Sequence, residues 1–158
     1  MPYDHWINIV LFEPEIPANT GNIGRLCVGL KAKLHLIEPL GFSLEEKEVR
    51  RAGLDYWKNL ELQVYRSLDD FFEKNPNINL YFASTKASMN YTEAQYKQND
   101  YIVFGKESAG LPAKFHNEFK DKGIAIAMSD LIRSINLSNS CAVVLYEAYR
   151  QLSDEVSL

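Results

Sequence analysis

The stretch Ile126-Ala127-Met128-Ser129-Asp130-Leu131-Ile132-Arg133-Ser134-Ile135-Asn136-Leu137-Ser138-Asn139-Ser140 leads from an apolar strand pattern into the last helix of the chain. One Ser or Asn is enough to cap a helix, yet Ser134, Asn136, Ser138, Asn139 and Ser140 all crowd this start. Buried amides and hydroxyls must be hydrogen-bonded, so the surplus asks for a further partner, either a ligand or a knotted backbone. The helix that follows, Asn136–Leu152, is unusual too. Its polar residues Asn136, Asn139, Ser140, Glu147, Arg150 and Gln151 occupy about a third of the circumference at 3.6 residues per turn. The remaining apolar face is wider than one sheet surface needs. Either the helix is buried in the core or part of that face meets a second copy, and in a domain of this size a homodimer is the expected answer.

Upstream, short β-type runs alternate with helical patterns. Ile7–Phe12, Lys33–Ile37, Leu62–Tyr65, Ile78–Ala83, Tyr101–Phe104 and Gly123–Met128 read as strands, each short, apolar and bounded by turn or polar residues. Helix patterns span Thr20–Lys31, Leu44–Trp57, Leu68–Lys74, Pro112–Phe119 and Asn136–Leu152. Strand–helix alternation predicts one α/β domain: a mainly parallel six-stranded sheet with helices on both faces. Ser43 with Glu46 forms a capping box, and Ser67 with Asp70 a weaker one. On the helix expected at Leu44–Trp57, Leu44, Val49, Ala52 and Tyr56 share a face and Glu46 is spaced to pair with Arg50. Lys47, Arg50 and Arg51 make a cationic strip that is either a solvated face or a phosphate contact.

Composition bounds the function. The 158 residues are 46% hydrophobic and 24% charged, enough for a core that buries ~70% of the unfolded surface. With 17 Lys+Arg against 21 Asp+Glu and a net charge of −4, bulk charge does not draw the chain to nucleic acid. Cys27 and Cys141 sit among apolar residues as small hydrophobes, and His5, His35 and His116 lack metal-ligand spacing, so no metal is expected. No apolar run approaches the ~20 residues of a membrane span, and the N-terminus lacks a signal-peptide pattern. A cytoplasmic, reduced setting is expected.

Two further polar constellations follow strands. After the first, Glu13-Pro14-Glu15-Ile16-Pro17-Ala18-Asn19-Thr20-Gly21-Asn22-Ile23-Gly24-Arg25 leaves a strand's carboxyl end, where open α/β sheets bind ligands. Asn19 or Thr20 is placed to cap the helix; Arg25 is then either a surface Arg or a phosphate or nucleotide contact. Neither a dinucleotide fingerprint nor a P-loop spacing is present. After the fifth strand, Phe104-Gly105-Lys106-Glu107-Ser108-Ala109-Gly110-Leu111-Pro112 sets two glycines around a carboxylate in a tight turn, with Pro112 at the first helical position. No nucleophile elbow supports a serine hydrolase built on Ser134 or Ser138.

In order, Asn19-x-Gly21-Asn22-Ile23-x-Arg25, Phe104-Gly105-x-Glu107-x-x-Gly110-Leu111, and Ile126-x-Met128 with Arg133-Ser134-Ile135-Asn136-Leu137-Ser138-Asn139 resemble the three motifs of the SPOUT methyltransferases that act on RNA ribose 2′-hydroxyls. The segments Asn8–Pro17 and Arg50–Tyr56 are similar to the bacterial family that methylates the tRNA wobble nucleotide. The resemblance implies a single SPOUT domain over 1–158, with a C-terminal trefoil knot at about 78–152 and no separate RNA-binding domain. It implies S-adenosylmethionine as methyl donor, held near Ala83, Gly105, Gly110, Ile126, Met128, Ser134 and Leu137, with S-adenosylhomocysteine as product. The implied substrate is the 2′-hydroxyl of nucleotide 34, C or modified U, of leucine tRNAs. Arg25 would assist the hydroxyl, with Asn19, Glu107, Ser134 and Asn136 orienting the reactants in a site shared across a homodimer. RNA contacts fall to Arg25, Lys47, Arg50, Arg51 and Arg133.

The chain departs from the pattern in the residues around Glu107, in Leu131 and Ile132 where polar residues are common, and in Ser140 where Ala is frequent. The alternatives are a non-catalytic RNA- or nucleotide-binding dimer, or a methyltransferase acting at another RNA position. Arg25, Lys47, Arg50, Arg51, Lys86, Lys106 and Arg133 would gather towards one cleft, so the net charge argues against indiscriminate RNA binding rather than against RNA.

Overall fold

The central strands are short and mostly apolar because they are buried on both faces. In β1 (Asn8–Phe12), Ile9 and Leu11 enter one core while Val10 and Phe12 enter another. The computed structural model describes residues 4–45, 49 and 56–158. After β1 come α1 (Pro17–Gly29), β2 (Lys33–Ile37), β3 (Leu62–Tyr65), α2 (Leu68–Lys74) and β4 (Leu80–Ala83). Then follow β5 (Met89–Asn90), β6 (Tyr101–Phe104), α3 (Ala113–Glu118), β7 (Gly123–Ala125) and α4 (Leu137–Leu152). The sheet order is β3-β2-β1-β6-β4-β7-β5 and every pairing is parallel.

One core lies under α1 and α4, where Ile23 and Cys27 meet Cys141, Val144, Leu145 and Ala148 over Ile9, Leu34 and Ile102. The other gathers Tyr65, Phe71, Phe82, Val103 and Phe115 under α2 and α3. Burial pushes the thiols of Cys27 and Cys141 well up, as suits two inert small hydrophobes. His35 is fully buried in this second layer, its ring nitrogens at 2.8 Å from both the Tyr65 hydroxyl and Asn8 Oδ1. Burial holds its pKa down at about 3. Among the described residues no helix is long and apolar enough to cross a membrane.

The expected six strands are seven. The extra one, β5, is the residue pair Met89–Asn90 bonded to β7 at the sheet edge, too short to leave an apolar pattern. β4 begins at Leu80 rather than Ile78, and β7 ends at Ala125 rather than Met128. Helix α1 starts at Pro17, three residues before the expected Thr20. Pro17 supplies the preset φ of a first helical residue, and Ile16 is the N-cap without a side-chain bond. Asn19 and Thr20 therefore do not cap it, which frees the Asn19 amide for other partners. Pro112 stands at the N-cap of α3 rather than inside it.

Ser67 caps α2 as expected, accepting the Asp70 N–H at 3.0 Å, and Asn136 caps α4 through Asn139. Of the helix expected at Leu44–Trp57, residues 46–48 and 50–55, including Glu46, Lys47, Arg50, Arg51 and Ala52, lie outside the described residues. Leu44 and Glu45 form a turn, Ser43 Oγ accepts the Glu45 N–H at 3.1 Å, Val49 is buried, and Trp57–Asn59 is a 3-10 turn.

Candidate functional site

The loops leaving the carboxyl ends of β1, β4, β6 and β7 meet above the sheet, where parallel α/β folds bind ligands. The loop after β6 is closed on itself: Lys106 and Gly110 exchange backbone bonds of 3.3 and 2.9 Å. A Cβ on Gly105 would lie 2.2 Å from the Gly110 carbonyl carbon, and Gly110 has φ +68°, so this turn requires both glycines.

From that turn Glu107 reaches the loop after β1. Its Oε1 accepts the Glu15 N–H at 2.8 Å, and its Oε2 accepts the Ile16 N–H at 2.9 Å and the Asn19 amide at 3.1 Å. The exchange is reciprocal, since Glu15 accepts the N–H and hydroxyl of Ser108 at 2.8 and 2.9 Å. Those bonds hold the Glu15 carboxyl below the usual carboxylate range. Asn19 Oδ1 in turn accepts the Asn136 amide at 3.1 Å, while Asn136 Oδ1 takes the Ser138 hydroxyl and the Asn139 N–H. One polar chain, Glu107–Asn19–Asn136, thus ties together the three sequence constellations. The Asn surplus ahead of α4 finds its first partner in that chain.

These loops enclose a cavity of about 820 Å³. Ala83, Gly105 and Gly110 line it from one side, Ile126 and Met128 from another, and Ser134 and Leu137 from the start of α4. Asn19, Glu107, Asn136 and Arg133 line it as well, so every expected cofactor residue and four of the five expected catalytic residues converge. The exception is Arg25. It lies six residues beyond Asn19 on α1, about 240° around the helix, and is not part of this wall. Its exposed guanidinium stacks 4.7 Å over the Tyr56 ring and donates to the Tyr56 hydroxyl at 3.3 Å. Of the expected cationic cluster, Lys86, Lys106 and Arg133 line the cavity, Arg25 does not, and Lys47, Arg50 and Arg51 lie outside the described residues.

The sequence reading missed Ser84 and His116, which also line the cavity and meet at 3.1 Å. Ser84, directly after β4 at the carboxyl edge, was the available signal; His116 carried none, because only the fold brings α3 beside that edge. The cavity suits a nucleoside-bearing cofactor, with Leu111, Ile126, Leu137 and Val144 as apolar walls and the tightly turned Gly105–Gly110 backbone between them.

The SpoU rRNA Methylase family profile matches residues 6–146. The chain belongs to this family. It is 46% identical over 146 residues to the Saccharophagus degradans protein named tRNA (cytidine(34)-2′-O)-methyltransferase, covering 92% of this chain and 95% of that one. A solved structure described as "Structural insights into the 2-OH methylation of C/U34 on tRNA" superposes with a TM-score of 0.90 at 39% identity, over 98% of this chain and 100% of the other. The fold alone is shared with the SpoU methyltransferase AviRb of Streptomyces viridochromogenes, solved with AdoMet. That match has a TM-score of 0.82 at 20% identity and covers 94% of this chain and 58% of AviRb. In this SpoU-family SPOUT protein the glycine-closed turn and the Glu107–Asn19–Asn136 chain both fall within the three motif segments.

Proposed function

We infer that this chain is a tRNA (cytidine(34)-2′-O)-methyltransferase that uses S-adenosylmethionine. The observation that carries the reading is the Glu107–Asn19–Asn136 chain closing the three motifs around one cavity. When bound, the cofactor would supply an electrophilic sulfonium methyl, to whose carbon the ribose 2′-oxygen would bond in line as the carbon–sulfur bond breaks, with S-adenosylhomocysteine as the leaving group. Apolar side chains of Ile126, Leu137 and Val144 with the Gly105–Gly110 backbone would hold the adenosine. Asn19, Glu107, Ser134 and Asn136 would orient the ribose and keep its hydroxyl aimed along one direction.

Arg25 would act on the nucleophile. A guanidinium whose pKa exceeds ~12 is a poor base, so Arg25 grips a substrate phosphate and that phosphate takes the 2′-hydroxyl proton. Because Arg25 faces away from the cavity of its own chain, a second copy completes the site. The uncovered part of α4 supports this: Val143 is 37% and Tyr146 54% exposed on a helix whose Cys141, Val144, Leu145, Ala148 and Leu152 are buried. A trefoil knot over about 78–152 and a single domain over 1–158 belong to the same reading, as do leucine tRNAs as substrates, Arg133 as an RNA contact and a cytoplasmic setting.

Calorimetry with S-adenosylmethionine and S-adenosylhomocysteine, followed by transfer of labelled methyl to leucine tRNA transcripts, tests this function. Binding of both nucleosides with label entering tRNA is expected. A chain that binds RNA and ignores both would instead be a binding module.

A further inference from the structure

A second cleft, of about 280 Å³, adjoins the cofactor cavity and shares Lys86 and His116 with it. Three separate elements build it. The turn after β4 holds Lys86, pinned by Lys86 N–H on Ser84 Oγ at 3.1 Å, Ala87 N–H on the Ser84 carbonyl at 3.2 Å and Ser84 N–H on the Ile124 carbonyl at 3.0 Å. Helix α3 presents His116, set edge-on to the Phe82 ring at 5.0 Å. The 3-10 turn Lys120–Lys122 adds Lys120.

Neighbouring cations are occupied elsewhere. Lys122 donates to Asn79 Oδ1 at 3.1 Å, and Lys114 lies 4.0 Å from Asp69. Lys86 and Lys120 have no ion pair among the described residues. The one carboxylate on the cleft wall, Asp121, leaves it cationic. In a chain of net charge −4, two ammonium groups against one carboxylate, with an imidazole beside them on one concavity, make a local anion receptor.

We propose that this cleft receives a backbone phosphate of the RNA substrate, next to the nucleotide whose ribose enters the cofactor cavity. The proposal rests on the methyltransferase reading above. A polynucleotide that puts one ribose in the cavity must lay its neighbouring phosphates along the rim, and Lys86 and His116 form the rim common to both spaces. Lys120 then extends the track away from the reacting nucleotide, along the outer side of α3.

The test is a Lys86→Gln/Lys120→Gln double variant. An exposed lysine at the opposite end of the sheet, Lys97→Gln, serves as the charge control. Binding of a tRNA anticodon stem-loop is measured across salt concentrations, with calorimetry of S-adenosylmethionine and steady-state methylation alongside. Loss of one phosphate contact flattens the slope of log affinity against log salt by about 0.7 and weakens RNA binding roughly three- to fivefold. KM for tRNA should rise to match, with kcat and cofactor affinity unchanged, and the Lys97 variant should behave as wild type.

An unaltered slope and affinity in the double variant would overturn the proposal. So would weakened S-adenosylmethionine binding with an unchanged RNA slope, which would assign the cleft to the carboxylate of the cofactor. The binding arm needs no turnover. A wild-type chain that binds RNA but transfers no methyl therefore refutes the function without touching the phosphate site.

Discussion

Removing the Glu107 carboxylate should unlatch the loop between β1 and α1. In Glu107→Ala three donors lose their acceptor: the Glu15 N–H, the Ile16 N–H and the Asn19 amide. The Ile16 N–H is exposed and regains water at little cost. The other two are part-buried, and each unsatisfied group at the low end of the usual range costs about 1–1.5 kcal/mol, together about 2–3 kcal/mol. For a domain of this size that is roughly 5–10 °C in Tm. Glu107→Gln should cost less, about 1 kcal/mol. Its remaining oxygen can still serve Glu15, but its amide faces the Asn19 amide. Asn19 cannot flip to meet it without losing its Oδ1 bond from Asn136. The expected order is therefore wild type above Gln above Ala, in both urea unfolding and methyl transfer. An alanine variant within about 0.5 kcal/mol of wild type and fully active would refute the latch.

Three other outcomes follow from named contacts. Gly105→Ala should abolish cofactor binding measured by calorimetry, since its Cβ would lie 2.2 Å from the Gly110 backbone; undiminished affinity would mean the turn is not needed closed. Arg25→Ala should lose turnover while still binding S-adenosylmethionine. If the site is shared, mixing it with inactive Gly105→Ala should restore activity through one intact mixed site, whereas a site within one chain gives no rescue. His35 sets an acid limit. The unfolded chain takes up its proton near pH 6.5 and the folded one only at about pH 3. The unfolded state therefore binds more protons between those values, and stability falls as pH drops through the window by up to about 1.4 kcal/mol per unit. A His35→Gln variant should lose that part of the pH slope; identical slopes would contradict the buried neutral imidazole.

The sheet was legible because its strands are short, mostly apolar runs between polar or turn residues: β2, β3 and β6 have the ends that Lys33–Ile37, Leu62–Tyr65 and Tyr101–Phe104 suggested. β5 was not, since two residues at an edge carry no periodicity. The cavity was legible through its glycines, because Gly105 and Gly110 stand where only a Cβ-free backbone closes the turn. The start of α1 was misread because Asn and Thr look like caps, while Pro17 begins the helix without one. That error concealed what Asn19 does, which is to join two other loops. The direction of Arg25 was invisible for a related reason: shifting a helix start leaves spacing intact, but which face meets the cavity depends on packing against α4 and the sheet.

The most direct test of the central claim is mass-spectrometric mapping of tRNA incubated with the pure protein and S-adenosylmethionine. The account predicts one new methyl, on the ribose of nucleotide 34, absent with Arg25→Ala. A methyl on a base, or on a ribose at any other position, would contradict it.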